Sequence, residues 1–133
     1  MIDHLSVAVA DIERARRFYD TVLAALGGRR LMDIEDAPDF VAAGYGVHEG
    51  EPAFWIGAGK PARAAPAPPD GQHIAFAAPD RAAVDAFHRL ALAAGGRDNG
   101  APGIRTDYHA NYYAAFVIDP DGNHIEAVCH KPA

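Results

Sequence analysis

Two stretches of the chain alternate between bulky apolar side chains and small or polar ones. In the first, Leu5, Val7 and Val9 alternate with His4, Ser6 and Ala8; in the second, Ile74 and Phe76 alternate with His73, Ala75 and Ala77. A period of two marks a β-strand with one buried face, so the bulky residues are expected under a helix and the small ones on an open face. Each stretch runs into an aspartate, Asp11 or Asp80, and there the period changes. Ile12, Ala15, Phe18, Tyr19, Val22, Leu23 and Leu26 recur at steps of three and four, as do Val84, Phe87, Ala91 and Ala94. This spacing predicts two amphipathic helices, each capped by the side chain of its aspartate and ended by a glycine pair, Gly27-Gly28 or Gly95-Gly96. Further strands are expected over 30–34, 40–45 and 53–56 in the first half, and over 112–118 and 123–129 in the second. The last two form a hairpin, because Asp119-Pro120-Asp121-Gly122 offers Pro where a type I turn needs a fixed negative φ and Gly where the chain turns left-handed.

The two halves repeat. His4 and His73, Asp11 and Asp80, Phe18 and Phe87, Leu23 and Leu92, and Gly27 and Gly96 are pairs of like residues, each 69 positions apart. The layout is therefore α+β, with two tandem β-α-β-β-β modules over about 1–58 and 71–133 within one domain. They are joined by a linker over about 59–70 whose 61–70 portion is too rich in Pro and Ala for regular structure. A duplicated unit pairs its halves about a pseudo-twofold axis, and the residues expected to meet there include His4 and His73.

Composition narrows the chemistry. The chain has 133 residues, half of them apolar, with 12 Lys and Arg against 18 Asp and Glu, a net charge of −6. A domain of this size buries a sufficient core without a structural metal or disulfide, so any metal is expected to be functional. The acidic balance argues against a nucleic-acid partner, and no apolar run is long enough for a membrane span. The single cysteine, Cys129, excludes an internal disulfide and reads as a small buried hydrophobe. The first residues lack the pattern of a signal peptide, and a cytoplasmic location is expected.

Strand parity then assembles a candidate site. His4 and Ser6 share the open face of the first strand, and His73 and Ala75 that of its repeat. In the last strand Ile125 and Ala127 alternate with His124 and Glu126, which places Glu126 on the same open side when Ile125 lies under a helix. Two imidazoles and one carboxylate on one side of a divalent ion leave positions for substrate or water, a donor set suited to Fe, Mn, Co, Ni or Zn. Proton transfer would fall to His124 or to the cluster Tyr108, His109, Tyr112 and Tyr113, with Tyr112 read as packing at a strand start.

These residues resemble the vicinal oxygen chelate superfamily, which includes glyoxalase I, extradiol dioxygenases, fosfomycin-resistance thiol transferases and bleomycin-resistance proteins. The carriers are IDHLSVAVADIERARRFYDTVL at the start, GQHIAFAAPD from Gly71 and AFVIDPDGNHIEAV from Ala115. The resemblance implies a cup-shaped mixed sheet with helices outside, a divalent metal at its base on His4, His73 and Glu126, and a homodimer. A glyoxalase I also has a glutamate in the first module where this chain has Trp55, or with a one-residue shift Phe54 or Ile56. An indole cannot ligate a metal, and this departure counts against glyoxalase I activity. The function implied is that of a metal-dependent lyase, isomerase or dioxygenase acting on an oxygen-chelating metabolite, with Ser6, Trp55, Ala75, Arg105 and Tyr108 lining its pocket. The competing expectation is a metal-free protein that sequesters an aromatic or cationic molecule in the same cup, as bleomycin-resistance proteins do.

Overall fold

In the computed structural model, which describes residues 1–133, the chain folds in the order β1 (Leu5–Ala8), α1 (Ile12–Ala24), β2 (Arg29–Ile34), β3 (Phe40–Gly46), β4 (Phe54–Gly59), β5 (Ile74–Ala77), α2 (Arg81–Ala93), β6 (Arg97–Ile104), β7 (Tyr113–Ile118) and β8 (His124–Cys129). The aspartates cap as their positions predict: Asp11 accepts from the Arg14 amide at 3.1 Å and Asp80 from the Ala83 amide at 2.8 Å. One strand escapes the pattern. β6 has the sequence RDNGAPGI, with no apolar alternation, and it is held by pairing with β7 across two register shifts. Its partner, not its own side chains, makes it a strand. No helix is long and apolar enough to cross a membrane.

The strands form two four-stranded sheets, ordered β1-β4-β3-β2 and β5-β8-β7-β6, one per module. In each sheet the first strand runs parallel to the last of its module, and the other pairings are antiparallel. β1 pairs only with β4 and β5 only with β8, so each keeps an unpaired edge. Val7 and Val9 are buried while Ser6 and Ala8 are exposed, as the alternation requires.

A single cluster of 22 buried residues runs through both modules. Phe54 of β4 meets Phe76 of β5 edge-to-face at 5.0 Å, and α1 packs against α2. Burying side chains of this size removes about 2 to 3 kcal/mol each of unfavourable hydration, and the two modules share that one apolar core.

The turn after β7 fastens one module to the other. Gly122 closes it, donating its amide to the Asp119 carbonyl at 3.0 Å with φ of +91°, a left-handed geometry that favours glycine. Asp119, only 2% exposed, accepts from the Asp121 and Asn123 amides at Oδ1, and from Tyr19 of α1 and Asn123 Nδ2 at Oδ2. Asp121 accepts from the Ala10 amide at 2.9 Å and from Arg14, and Asn123 Nδ2 donates to the Ala8 carbonyl at 3.2 Å. One turn of the second module thus satisfies backbone groups where β1 leads into α1.

Burial, followed by the adjacent Asp119 carboxylate, pushes the Tyr19 hydroxyl well above the ordinary tyrosine value of 10. A raised folded-state pKa contributes stability that is complete below the unfolded value and fades above it. Resistance to urea should therefore fall as the pH rises past about 10, and the fall should be shallower in Tyr19→Phe; equal slopes in the two proteins would refute the assignment.

Candidate functional site

The cross-strand register sets the site. In the second module Glu126 of β8 lies between Ala75 of β5 and Phe116 of β7. In the first module the same place on β4, between Ser6 of β1 and Gly44 of β3, belongs to Trp55. The register therefore assigns Trp55, and neither Phe54 nor Ile56, as the counterpart of Glu126. Phe54 and Ile56 point the other way, into the core.

Glu126 is 1% exposed. Its Oε1 lies 3.2 Å from His73 Nε2, the one nitrogenous side chain it meets, and its Oε2 accepts from the Tyr112 hydroxyl. A buried carboxylate is costly unless a cation or several donors compensate it, and here no Lys or Arg does so. Burial first, and then the Glu126 carboxylate, raises the Tyr112 hydroxyl above its ordinary value, so that it stays a proton donor. Tyr112 lies outside β7; its ring packs against Tyr108, His109 and His130 while its hydroxyl donates to Glu126.

His73 lines a cleft of about 200 Å³ together with Tyr108, Phe116 and His124. Arg105 stacks over Phe116 at 5.3 Å, and its guanidinium is tied to the Ala101 carbonyl at 2.7 Å. Tyr113 is elsewhere. It begins β7 on the face turned toward α2, donates to Asp85 at 2.6 Å and lies under Arg81, so strand parity removes it from the cleft. His109 lies beside the site with both ring nitrogens engaged. Its Nδ1 accepts from the Asn111 amide at 3.0 Å, which leaves the ring proton on Nε2, 2.8 Å from His130 Nδ1. The two imidazoles stack, and Tyr112 meets both edge-on, so the pair braces the tyrosine.

His4 lines a different cleft, of about 420 Å³, with Asp3, Ser6, Glu51 and Trp55. Asp3 Oδ1 is 2.5 Å from His4 Nδ1. Asp3 thus engages one imidazole nitrogen and leaves Nε2 without a hydrogen-bond partner, the arrangement common to histidine metal ligands. One chain thus brings His73 and Glu126 together and holds His4 apart from them; no three His, Cys, Asp or Glu side chains of a single chain are grouped to hold a metal.

Three partners escape the sequence pattern: Asp3, His130 and the Tyr112–Glu126 bond. Only Asp3 leaves a signal, by being next to a candidate ligand. The others depend on where the loop between β6 and β7 folds back.

The donor set suits a divalent ion. Ligand atoms about 2.1 Å from one ion and at right angles lie about 3.0 Å apart, close to the 3.2 Å between His73 and Glu126.

The family model for the Glyoxalase/Bleomycin resistance protein/Dioxygenase superfamily matches residues 1–127. Among solved structures, a glyoxalase/bleomycin resistance protein from Albidiferax ferrireducens T118 is similar, with 29% identity, a TM-score of 0.72, and coverage of 96% of this chain and 97% of that one. Glyoxalase I from Zea mays shares the fold at 21% identity and a TM-score of 0.73; the alignment covers 96% of this chain but 45% of the maize enzyme. A trypanothione-dependent glyoxalase I from Leishmania major shares it at 19% identity and a TM-score of 0.68, over 98% of this chain and 86% of that one. No curated protein matches the chain. With the paired modules, their strand order and the near-complete family match in agreement, the chain belongs to the glyoxalase/bleomycin resistance protein/dioxygenase superfamily.

Proposed function

We propose that the protein is a small divalent-metal-dependent enzyme of the glyoxalase/dioxygenase type, acting on a metabolite that presents two oxygens to a His4, His73 and Glu126 site. The observation that carries this reading is the buried Glu126 carboxylate with His73 at 3.2 Å and no Lys or Arg to balance it. Its superfamily is one of small-molecule-binding domains whose members generally use a divalent metal.

The third ligand comes from a second copy. His4 and His73 immediately precede β1 and β5, each of which lies at a free edge of its sheet. A twofold pairing that brings β1 of one protomer beside β5 of its partner satisfies both edges and closes the two half-sites into two equivalent cups. The bound ion would supply Lewis acidity, stabilising negative charge that grows on the substrate oxygens. Tyr112 ties down Glu126 Oε2 and leaves Oε1 for ligation, Asp3 orients His4, and His124, at the mouth of the His73 cleft, exchanges the proton. His109 has no free nitrogen for that task.

Mixing two inactive variants tests the assembly. His4→Ala and Glu126→Ala homodimers should each lose the metal. After subunit exchange in equal amounts, half the dimers are mixed and each regains one of two sites, so about one quarter of the wild-type metal should return. No recovery despite demonstrated exchange would refute a shared site. If wild-type protein takes up none of Fe(II), Mn(II), Co(II), Ni(II) or Zn(II), the metal-free binding protein replaces this reading.

Tyr112→Phe keeps the ring but frees Glu126 Oε2. Metal affinity should fall about 10- to 100-fold, the usual effect of losing a group that orients a ligand, and equilibrium dialysis reads it. Unchanged affinity would reduce Tyr112 to packing.

A further inference from the structure

The geometry points to a substrate that carries a flat apolar ring beside its two chelating oxygens, with Trp55 as the residue that selects it; this rests on the metal-dependent reading above. Trp55 occupies the place that Glu126 holds in the other module, and its neighbour across the sheet has changed with it. Beside Glu126 stands Phe116; beside Trp55 stands Gly44. A Cβ at Gly44 would lie 2.9 Å from Trp55 Cε2 and 2.8 Å from Pro52. The indole is therefore seated on bare backbone, in contact that any side chain at 44 would push apart. Where the module could have offered a fourth ligand, it offers a fixed aromatic surface.

The space beside that surface is cleared. At Gly57, the next residue of β4 on the open face, an added Cβ would meet nothing nearer than the Val41 carbonyl at 3.9 Å, and its strand neighbours on this face are Ala8 and Ala42. Phe40 and Ile34 complete the apolar wall of the same cleft, which also contains His4. A ring lying over Gly57 would meet the indole while its oxygens reach the ion held in part by His4. Asp3 and Glu51 are the charged groups at this cleft, and they disfavour an anionic ring substituent.

Acetohydroxamate and benzohydroxamate, identical chelators bearing a methyl or a phenyl group, separate the two claims. With Co(II)-loaded protein, the visible Co(II) band reports chelation, and fluorescence of Trp55, the only tryptophan, reports the ring. Benzohydroxamate should bind about tenfold or more tightly than acetohydroxamate, as aromatic contact predicts, and should alone quench Trp55. Trp55→Ala should bring the affinity ratio close to one, and Trp55→Phe should restore part of it. Equal affinities in the wild type, or a preference that survives Trp55→Ala, would overturn the inference while leaving the metal site intact. If neither compound shifts the Co(II) band, the metal reading fails. In that event, quenching by benzohydroxamate alone upholds the aromatic surface and its absence refutes it.

Discussion

Glu126→Gln should abolish the thermal stabilisation that a divalent metal gives the wild-type protein, without lowering the stability of the metal-free form. The substitution preserves the shape of the side chain and can still accept the Tyr112 hydrogen bond, but it removes the charge that makes Oε1 a strong ligand. For the wild type, metal at about 100 times its dissociation constant stabilises by about 2.7 kcal/mol. In a chain of this length that corresponds to a rise in Tm of about 8 to 14 °C. In the variant the affinity should drop at least about 100-fold, because in the proposed site the group lost is itself a ligand and not merely a neighbour of one. The metal-free comparison gives the test its force. A carboxylate 1% exposed, with one imidazole neighbour and one hydroxyl donor, costs free energy until a cation arrives. Neutralising it should leave metal-free stability unchanged or higher. A clear loss of metal-free stability, with no metal-induced shift in the wild type, would show that Glu126 is structural.

Asp119→Ala should cost about 3 to 5 kcal/mol, lowering Tm by roughly 10 to 20 °C. The carboxylate accepts four hydrogen bonds, and its removal strands the buried Tyr19 hydroxyl and the Asn123 amide in a region that water does not reach. The loss extends beyond the turn, because Asp121 and Asn123 of the same turn hold the Ala10 amide and the Ala8 carbonyl of the first module. Urea unfolding should show a lower midpoint with an unchanged slope. A cost under about 1 kcal/mol would mean that the shared apolar core joins the modules and the turn does not.

Much of this architecture is legible in the residue pattern because it rests on local rules. Alternation identifies β1 and β5, the three-and-four spacing identifies both helices, and Asp11 and Asp80 mark their first turns. The turn at 119–122 follows from Pro and Gly at fixed places. Parity puts Glu126 on the open face, and a constant offset reveals the duplication. β6 shows where local rules stop: its residues would not form a strand alone, and pairing with β7 decides the matter.

The site divides along the same line. The donor types and their strand positions are written in the residue order alone, since side-chain chemistry and a period of two need no knowledge of distant contacts, whereas the cross-strand register decides that Trp55 is the counterpart of Glu126. Folding in three dimensions settles the rest: His73 lies against Glu126 while His4 opens onto a separate cleft, Tyr112 faces Glu126 while Tyr113 faces α2, and Gly44 seats the indole of Trp55. Those outcomes depend on how two sheets are set against a common core and on where the loop between β6 and β7 returns. Both are fixed by contacts between residues far apart in the chain, which no local pattern encodes.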